Sequence, residues 1–253
     1  MRPDVPSAPA VDPAATLLLV VGRNNWKRGS RGLSRVVDEL GRAGMPVLRY
    51  ESRTGDTRRW LDERAEPWLA ALPAGWAALP AVRWLLKLGL LAGRPSRWDY
   101  LFARRHEVHH TGVAALRRFI ARQHGRRVVL LTHSAGGIAG AMAEDAPPLL
   151  CHVCFGYPFQ HPERPPEPRR TEVLARVARP LLIVQGERDE YGSAAEARRR
   201  WPLSPAITLL AVDDDHQYDA LGEAEIQALL HTIKAFIGLA PAGAAAHPPE
   251  NPD

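Results

Sequence analysis

The chain is poor in cysteine, in lysine and in long apolar runs, and each shortage excludes something. Two cysteines in 253 residues cannot build a disulfide framework, and Cys151-x-x-Cys154 has no second pair to complete a zinc site. The pair also falls inside an apolar run, Leu149 to Phe155, that reads as a strand. Residues three apart on a strand face opposite ways, so these thiols are expected to stay apart, buried and reduced. Only three lysines occur, and arginine supplies nearly all the charge behind the net +5. The arginine pairs, such as Arg58-Arg59, Arg126-Arg127 and Arg169-Arg170, are scattered among acids rather than gathered into a stripe. Nucleic acid is therefore not an expected partner. No apolar stretch reaches the roughly twenty residues of a membrane span. The run Leu17 to Val21 is too short for a secretory core, so the cytoplasm is the expected location.

What is present is an alternation of short apolar runs with helical patterns. Strands are expected at Thr16 to Val21, Met45 to Tyr50, Arg127 to Leu131, Leu149 to Gly156, Pro180 to Gln185 and Ala206 to Val212. Helices are expected at Gly32 to Gly41, Thr111 to Gln123, Ile138 to Asp145, Thr171 to Ala178, Ser193 to Trp201 and Glu223 to Ile237. Continuously apolar strands separated by helices imply an α/β fold. Its sheet would be doubly wound, mostly parallel, of about six strands and covered on both faces. Residues 1–13 read as a disordered lead and 240–253 as a disordered tail, leaving one domain over 14–239.

One stretch breaks the alternation. Nearly sixty residues, about 52–110, separate one strand from the next helix and carry Trp60, Trp68, Trp76, Trp84 and Trp98. That is far longer than a compact connection needs. Its uncharged section, Pro67 to Val82, is interrupted by Pro73 and Pro80. A helical cap that shapes a pocket is the expected reading. Membrane contact through this insert is disfavoured, because the prolines make a regular polar face hard to build.

The chemistry centres on Leu130-Leu131-Thr132-His133-Ser134-Ala135-Gly136-Gly137. An apolar strand ends at a serine among small residues and a helix follows, which is the layout of a nucleophile elbow. A serine hydroxyl needs a base, and the base needs an orienting group. Downstream, Leu181 to Gly186 ends in a turn with Asp189 at its tip, and Ile207 to Val212 runs into Asp213-Asp214-Asp215-His216. Both groups follow strand ends, on the edge where Ser134 should lie. Asp213, Asp214 and Asp215 are alternative orienters, poorly placed as sequence neighbours of His216. His109, His110 and His161 are reserve bases. His133, next to the serine, is expected to face away. Ala135 and the loop after the first strand, at Arg23, are the expected oxyanion donors. Asn24, Trp26, Tyr157 and Phe159 are the expected substrate contacts, with an apolar acyl pocket walled by the insert and by Phe155 to Phe159.

The elbow, Gly156-Tyr157-Pro158-Phe159 with His161-Pro162, and Gln185-Gly186-Glu187-Arg188-Asp189 together resemble the α/β-hydrolase superfamily. The likeness is nearest to its small dienelactone-hydrolase-like and testis-expressed hydrolase-like branches, and it covers roughly Thr16 to Gly238 apart from the tryptophan insert. Thr132 departs from the pattern, standing where a glycine is usual. The resemblance implies a metal-free and cofactor-free serine hydrolase acting on small-molecule esters or thioesters, with Ser134 as nucleophile, His216 as base and Asp189 as its orienter. An acyltransferase on the same residues, and a silent hydrolase-like binding protein, are the alternatives. Oligomeric state is not legible.

Overall fold

A computed structural model describes residues 11–21, 29–98, 100–101 and 108–239, with only the backbone at 108–111. Six strands form one sheet: β1 (Thr16–Val21), β2 (Val47–Tyr50), β3 (Arg127–His133), β4 (Leu149–Phe155), β5 (Leu181–Gly186) and β6 (Ile207–Val212). Their order is β2-β1-β3-β4-β5-β6, and every neighbouring pair is parallel. Parallel strands share their direction, so all six carboxyl ends fall on one edge of the sheet. That edge carries the site.

Every residue of β1 and β5 is buried, as the uninterrupted apolar runs require of central strands covered on both sides. Along one face Leu18, Val20, Val129, Leu131, Cys151, Val153 and Val184 pack against α1 (Arg31–Arg42) and α8 (Glu223–Phe236). The opposite face divides its load. Leu17, Leu19, Val128 and Leu130 meet α5 (Val108–Ala121), while Cys154, Leu181 and Ile183 join the cluster under α6 (Ala135–Met142) and α7 (Ala194–Arg200). Cys151 and Cys154 thus lie on opposite sides of β4, both free, and burial pushes both thiols up to about 12.

Helix α1 shows why these elements form where they do. Ser30 caps it by accepting from Leu33 N–H, and Val36, Val37 and Leu40 recur at helical spacing on its buried side. The segment expected as a helix over Thr171 to Ala178 is instead a 3₁₀ stretch, Glu172–Arg176.

The long insert begins directly after β2. Its helices are α2 (Arg53–Ala70), a single turn α3 (Ala74–Ala77) and α4 (Pro80–Ala92). Ser52 caps α2 through Gly55 N–H, and Pro80 occupies the first turn of α4, where a missing N–H costs nothing. Helices α2 and α4 return on each other as a hairpin, with Leu61, Ala65, Leu69 and Leu91 buried between them. Lys87 pairs with Asp62, and Arg97 reaches Asp56 at 2.8 Å while lying over the Trp60 ring. The prolines here punctuate the helices rather than prevent them.

Candidate active site

Ser134 is forced out of regular backbone. Its φ is +56°, a region that side chains other than glycine's rarely enter, and it ends β3 and caps α6. Such strain is tolerated only where surrounding bonds fix it. Ser134 N–H donates to the Phe155 carbonyl at 3.0 Å, and the Ser134 carbonyl accepts from Gly137 N–H at 2.8 Å. Crowding behind the elbow is severe. A Cβ on Gly137 would sit 2.4 Å from Cys154 Sγ, and one on Gly140 would sit 2.6 Å from the His152 ring, so only glycine fits either position. Helix α6 begins at Ala135, directly after the serine, which aims its first amides at Ser134.

A hydrogen-bonded chain joins the three strand ends. Ser134 Oγ lies 2.9 Å from His216 Nε2, and His216 Nδ1 lies 2.8 Å from Asp189 Oδ2. His216 and Asp189 are both buried. The Asp189 carboxylate also accepts from Gln185 Nε2 (2.9 Å) and from Tyr191 N–H (2.8 Å), so its oxygens are held by three donors. Gln185 is fixed in turn by accepting from Tyr157 N–H and donating to the Gly192 carbonyl. The Tyr191 ring packs 4.5 Å from the imidazole.

The neighbours of His216 serve other ends. Asp213 is exposed and pairs with Arg188. Asp214 is buried and accepts from the amides of Asp215, Ala220 and Leu221, which closes the loop that carries the histidine. Asp215 accepts from Gln217 N–H. Tyr218, at φ +58°, donates its hydroxyl to the Val184 carbonyl and receives Gly32 N–H on its own carbonyl. Burial, aided by Asp189 nearby, holds its phenol well above the usual range, so it stays protonated. His161 meets the edge of Tyr191 and accepts from Glu163 N–H. The side chains of His109 and His110 lie outside the described residues.

Three placements differ from expectation. His133 does not simply turn away: Nε2 donates to the His216 carbonyl at 2.9 Å, and the two rings lie 5.3 Å apart. Alternation holds along β3, with Val129, Leu131 and His133 on the face beside Tyr218, and it is Ser134 that leaves the strand. Tyr157 and Phe159 are core residues rather than pocket walls. Both are fully buried, the tyrosine hydroxyl donates to the Arg170 carbonyl, and Phe159 stacks on Trp201. Apolar residues beside a site look the same in sequence whether they face the pocket or the core. Arg23, Asn24 and Trp26 lie outside the described residues; Ala135 is at the first position of α6.

Gly156 has a role that the Gly156-Tyr157-Pro158-Phe159 motif alone does not reveal. It has φ +58°, and a Cβ there would lie 2.9 Å from His216 Nδ1 and 3.3 Å from Asp189 Oδ2. The histidine and its carboxylate can meet only because this position has no side chain. Thr132, standing where glycine was expected, hydrogen-bonds the His152 ring at 2.7 Å beneath the elbow. Burial holds His152 down to about 3, so it is a neutral imidazole.

Residues 103–237, slightly more than half the chain, match the α/β hydrolase domain. The chain belongs to that family. Among solved structures, the esterase domain of a Rhodothermus marinus protein is similar at 15% identity, over 90% of this chain and 88% of that one, with a TM-score of 0.50. A cold-adapted esterase from an Arctic intertidal metagenomic library is similar at 13% identity, over 89% and 84%, with a TM-score of 0.48. A protein of the α/β superfamily from Xanthomonas campestris is similar at 19% identity, over 87% and 98%, with a TM-score of 0.44. No curated protein sequence matches. At these identities the first likeness bears on fold alone, and it agrees with the family match. Among the described residues no cluster of His, Cys, Asp or Glu could hold a metal ion, and no helix is long and apolar enough to cross a membrane.

Proposed function

We propose that this α/β hydrolase cleaves carboxylic esters or thioesters through an acyl-enzyme on Ser134. The observation that carries the reading is the chain Ser134 Oγ–His216 Nε2 (2.9 Å) and His216 Nδ1–Asp189 Oδ2 (2.8 Å), with the serine held at positive φ. In the first half-reaction Oγ attacks the carbonyl carbon as its proton passes to His216 Nε2. Asp189, held by its three donors, orients and steadies the imidazolium. The leaving alkoxide or thiolate takes the proton from Nε2. Water then attacks the acyl-serine, giving up its proton to His216, and the acid departs as Ser134 is restored.

The tetrahedral intermediate places negative charge beside the start of α6, where the Ala135 amide and the helix dipole favour it. The second donor is assigned to the loop after β1, at Arg23. Asn24 and Trp26 of the same loop are the proposed substrate contacts, and the insert over 52–110 is the proposed cap. The likeness to the dienelactone-hydrolase-like branch belongs with this reading and favours small esters. Esterases among the similar structures are consistent with it.

Hydrolysis of p-nitrophenyl esters from acetate to long chains, by the parent and by Ser134→Ala, tests the reading. Parent turnover that falls by at least about 10³-fold in the variant is the expected outcome. Labelling of the parent by a fluorophosphonate, lost in the variant, should accompany it. Neither turnover nor labelling in the parent would replace the enzyme with a silent binding protein.

A further inference from the structure

The insert's hairpin hides its seam and exposes an apolar tip. Leu61, Ala65, Leu69 and Leu91 are buried between α2 and α4, yet Trp68 (64% exposed), Leu72, Trp76 (62%), Leu79, Trp84 and Leu85 (66%) face solvent. Six large apolar side chains exposed on one short segment are more than a monomer ordinarily leaves bare. Its charge is one-sided. From Pro67 to Trp98 the chain has four basic residues and no acid, while the acids of the insert's two long helices all precede Pro67. Lys87 and Arg97 are turned back onto Asp62 and Asp56, but Arg83, beside Trp84 at the tip, is exposed.

Tryptophan and leucine with arginine at their margin suit the boundary between headgroups and acyl chains, where the rings sit half-buried and the guanidinium meets phosphate. A second copy of this chain is the poorer occupant. A two-fold interface through this face would enclose Arg83 of both copies in one apolar contact, with no acid in the segment to offset them. We propose that the hairpin tip, residues 67–85, docks on an anionic lipid bilayer. Pro73 and Pro80, which in the sequence argued against such a surface, stand at the starts of α3 and α4 and mark the turns of a compact helical tip instead. Docking is peripheral, and it does not depend on the chemistry at Ser134.

Flotation of the full chain with vesicles of phosphatidylcholine, with and without phosphatidylglycerol, tests this. The parent should float with the anionic vesicles, less so with the zwitterionic ones, and less as salt rises. The double variant Trp76→Ser, Leu79→Ser should bind at least about tenfold more weakly, a loss of about 1.4 kcal/mol. Arg83→Glu should weaken binding to the anionic vesicles alone. Failure of the parent to float with anionic vesicles overturns the proposal, as does flotation unchanged in the double variant. A solution dimer that dissolves in that variant, without flotation of the parent, would assign the tip to a second copy. Should the double variant misfold, quenching of the parent's tryptophans by brominated acyl chains gives the same decision: quenching supports docking, and its absence overturns it.

Discussion

The carboxyl edge of the sheet and the tip of the hairpin spend their side chains in opposite ways. At the edge nearly every polar atom has a partner within the chain: Asp189 has three donors, Gln185 joins three elements, and Asp214 holds three amides. At the tip large apolar side chains stand in solvent with nothing of the described chain over them. A region whose groups are all engaged internally is built to hold a geometry. A region whose costly apolar surface is left open is built to meet something else. If this contrast is right, small changes at the edge should be severe for turnover, and large changes at the tip should hardly touch the fold.

The sharpest blow to the edge, after loss of the serine itself, is Asp189→Asn. Oδ2 accepts from both His216 Nδ1 and Gln185 Nε2, and Oδ1 accepts from Tyr191 N–H. An amide cannot present acceptors to all three, so one donor is left facing an NH₂ group. With the NH₂ group turned to His216 Nδ1, the imidazole is no longer held in the tautomer that leaves Nε2 free to take a proton. A fall in kcat of about 10⁴-fold is expected, with the fold retained. Ester hydrolysis and a thermal melt of the variant measure the two parts. Turnover within tenfold of the parent would remove Asp189 from its role.

Gly156→Ala asks whether geometry alone matters there, since it alters no reacting group. The added methyl would lie 2.9 Å from Nδ1 and would sit at φ +58°, costing about 1–2 kcal/mol in backbone strain alone. A shift of the imidazole approaching 1 Å should cost about 10²-fold in kcat/KM. Kinetics with a small, unhindered ester would show this, and an unchanged value would mean the pair has slack that its hydrogen bonds do not suggest.

How much of this was legible beforehand divides along the same line. The central strands β1, β3, β4 and β5 could be read because a buried parallel strand is a continuous apolar run, and the half-exposed edge strands β2 and β6 by shorter runs of the same kind. Ser134, Asp189 and His216 could be singled out because each follows such a run. Gly156 could not be assigned a role, because its reason is a through-space approach to residues 33 and 60 positions away. Nor could Tyr157 and Phe159 be placed, since apolar character does not tell core from pocket. The contact of His133 with the His216 carbonyl could not be read either, because it joins residues 83 positions apart. The insert was ambiguous for a different reason: its helices are secured mainly against one another, so its pattern carries no imprint of the sheet.

The polar engagement of the edge continues below the elbow, and there it should be visible as pH-dependent stability. His152 is neutral in the folded chain down to about pH 3, whereas in the unfolded chain it takes a proton near 6.5. Below pH 6.5 the unfolded state therefore binds more protons, and stability falls as pH falls; above it the group contributes no slope. The loss should reach about 2 kcal/mol at pH 5, at about 1.4 kcal/mol per pH unit. Urea unfolding of the parent and of His152→Asn at pH 7.5 and pH 5 isolates the term, because the carboxylates titrate in both proteins. Equal slopes would mean that the imidazole finds a proton, or water, without unfolding the chain.

The smallest effect carries the most weight for the tip. Trp68→Ala and Trp76→Ala remove two of the largest side chains in the protein, yet each should change unfolding free energy by no more than about 0.5 kcal/mol, the range of ordinary surface substitutions. Leu61→Ala, a smaller excision from the seam of the same hairpin, should cost about 2–5 kcal/mol. The three variants share one hairpin, so differences in helix propensity are minor beside the difference in burial. A large cost at Trp68 or Trp76 would mean that part of this chain covers the tip, and the contrast between an edge engaged inward and a tip open outward would fail. A small cost leaves apolar surface that the fold does not use, and its explanation must then be sought in what the tip touches outside the chain.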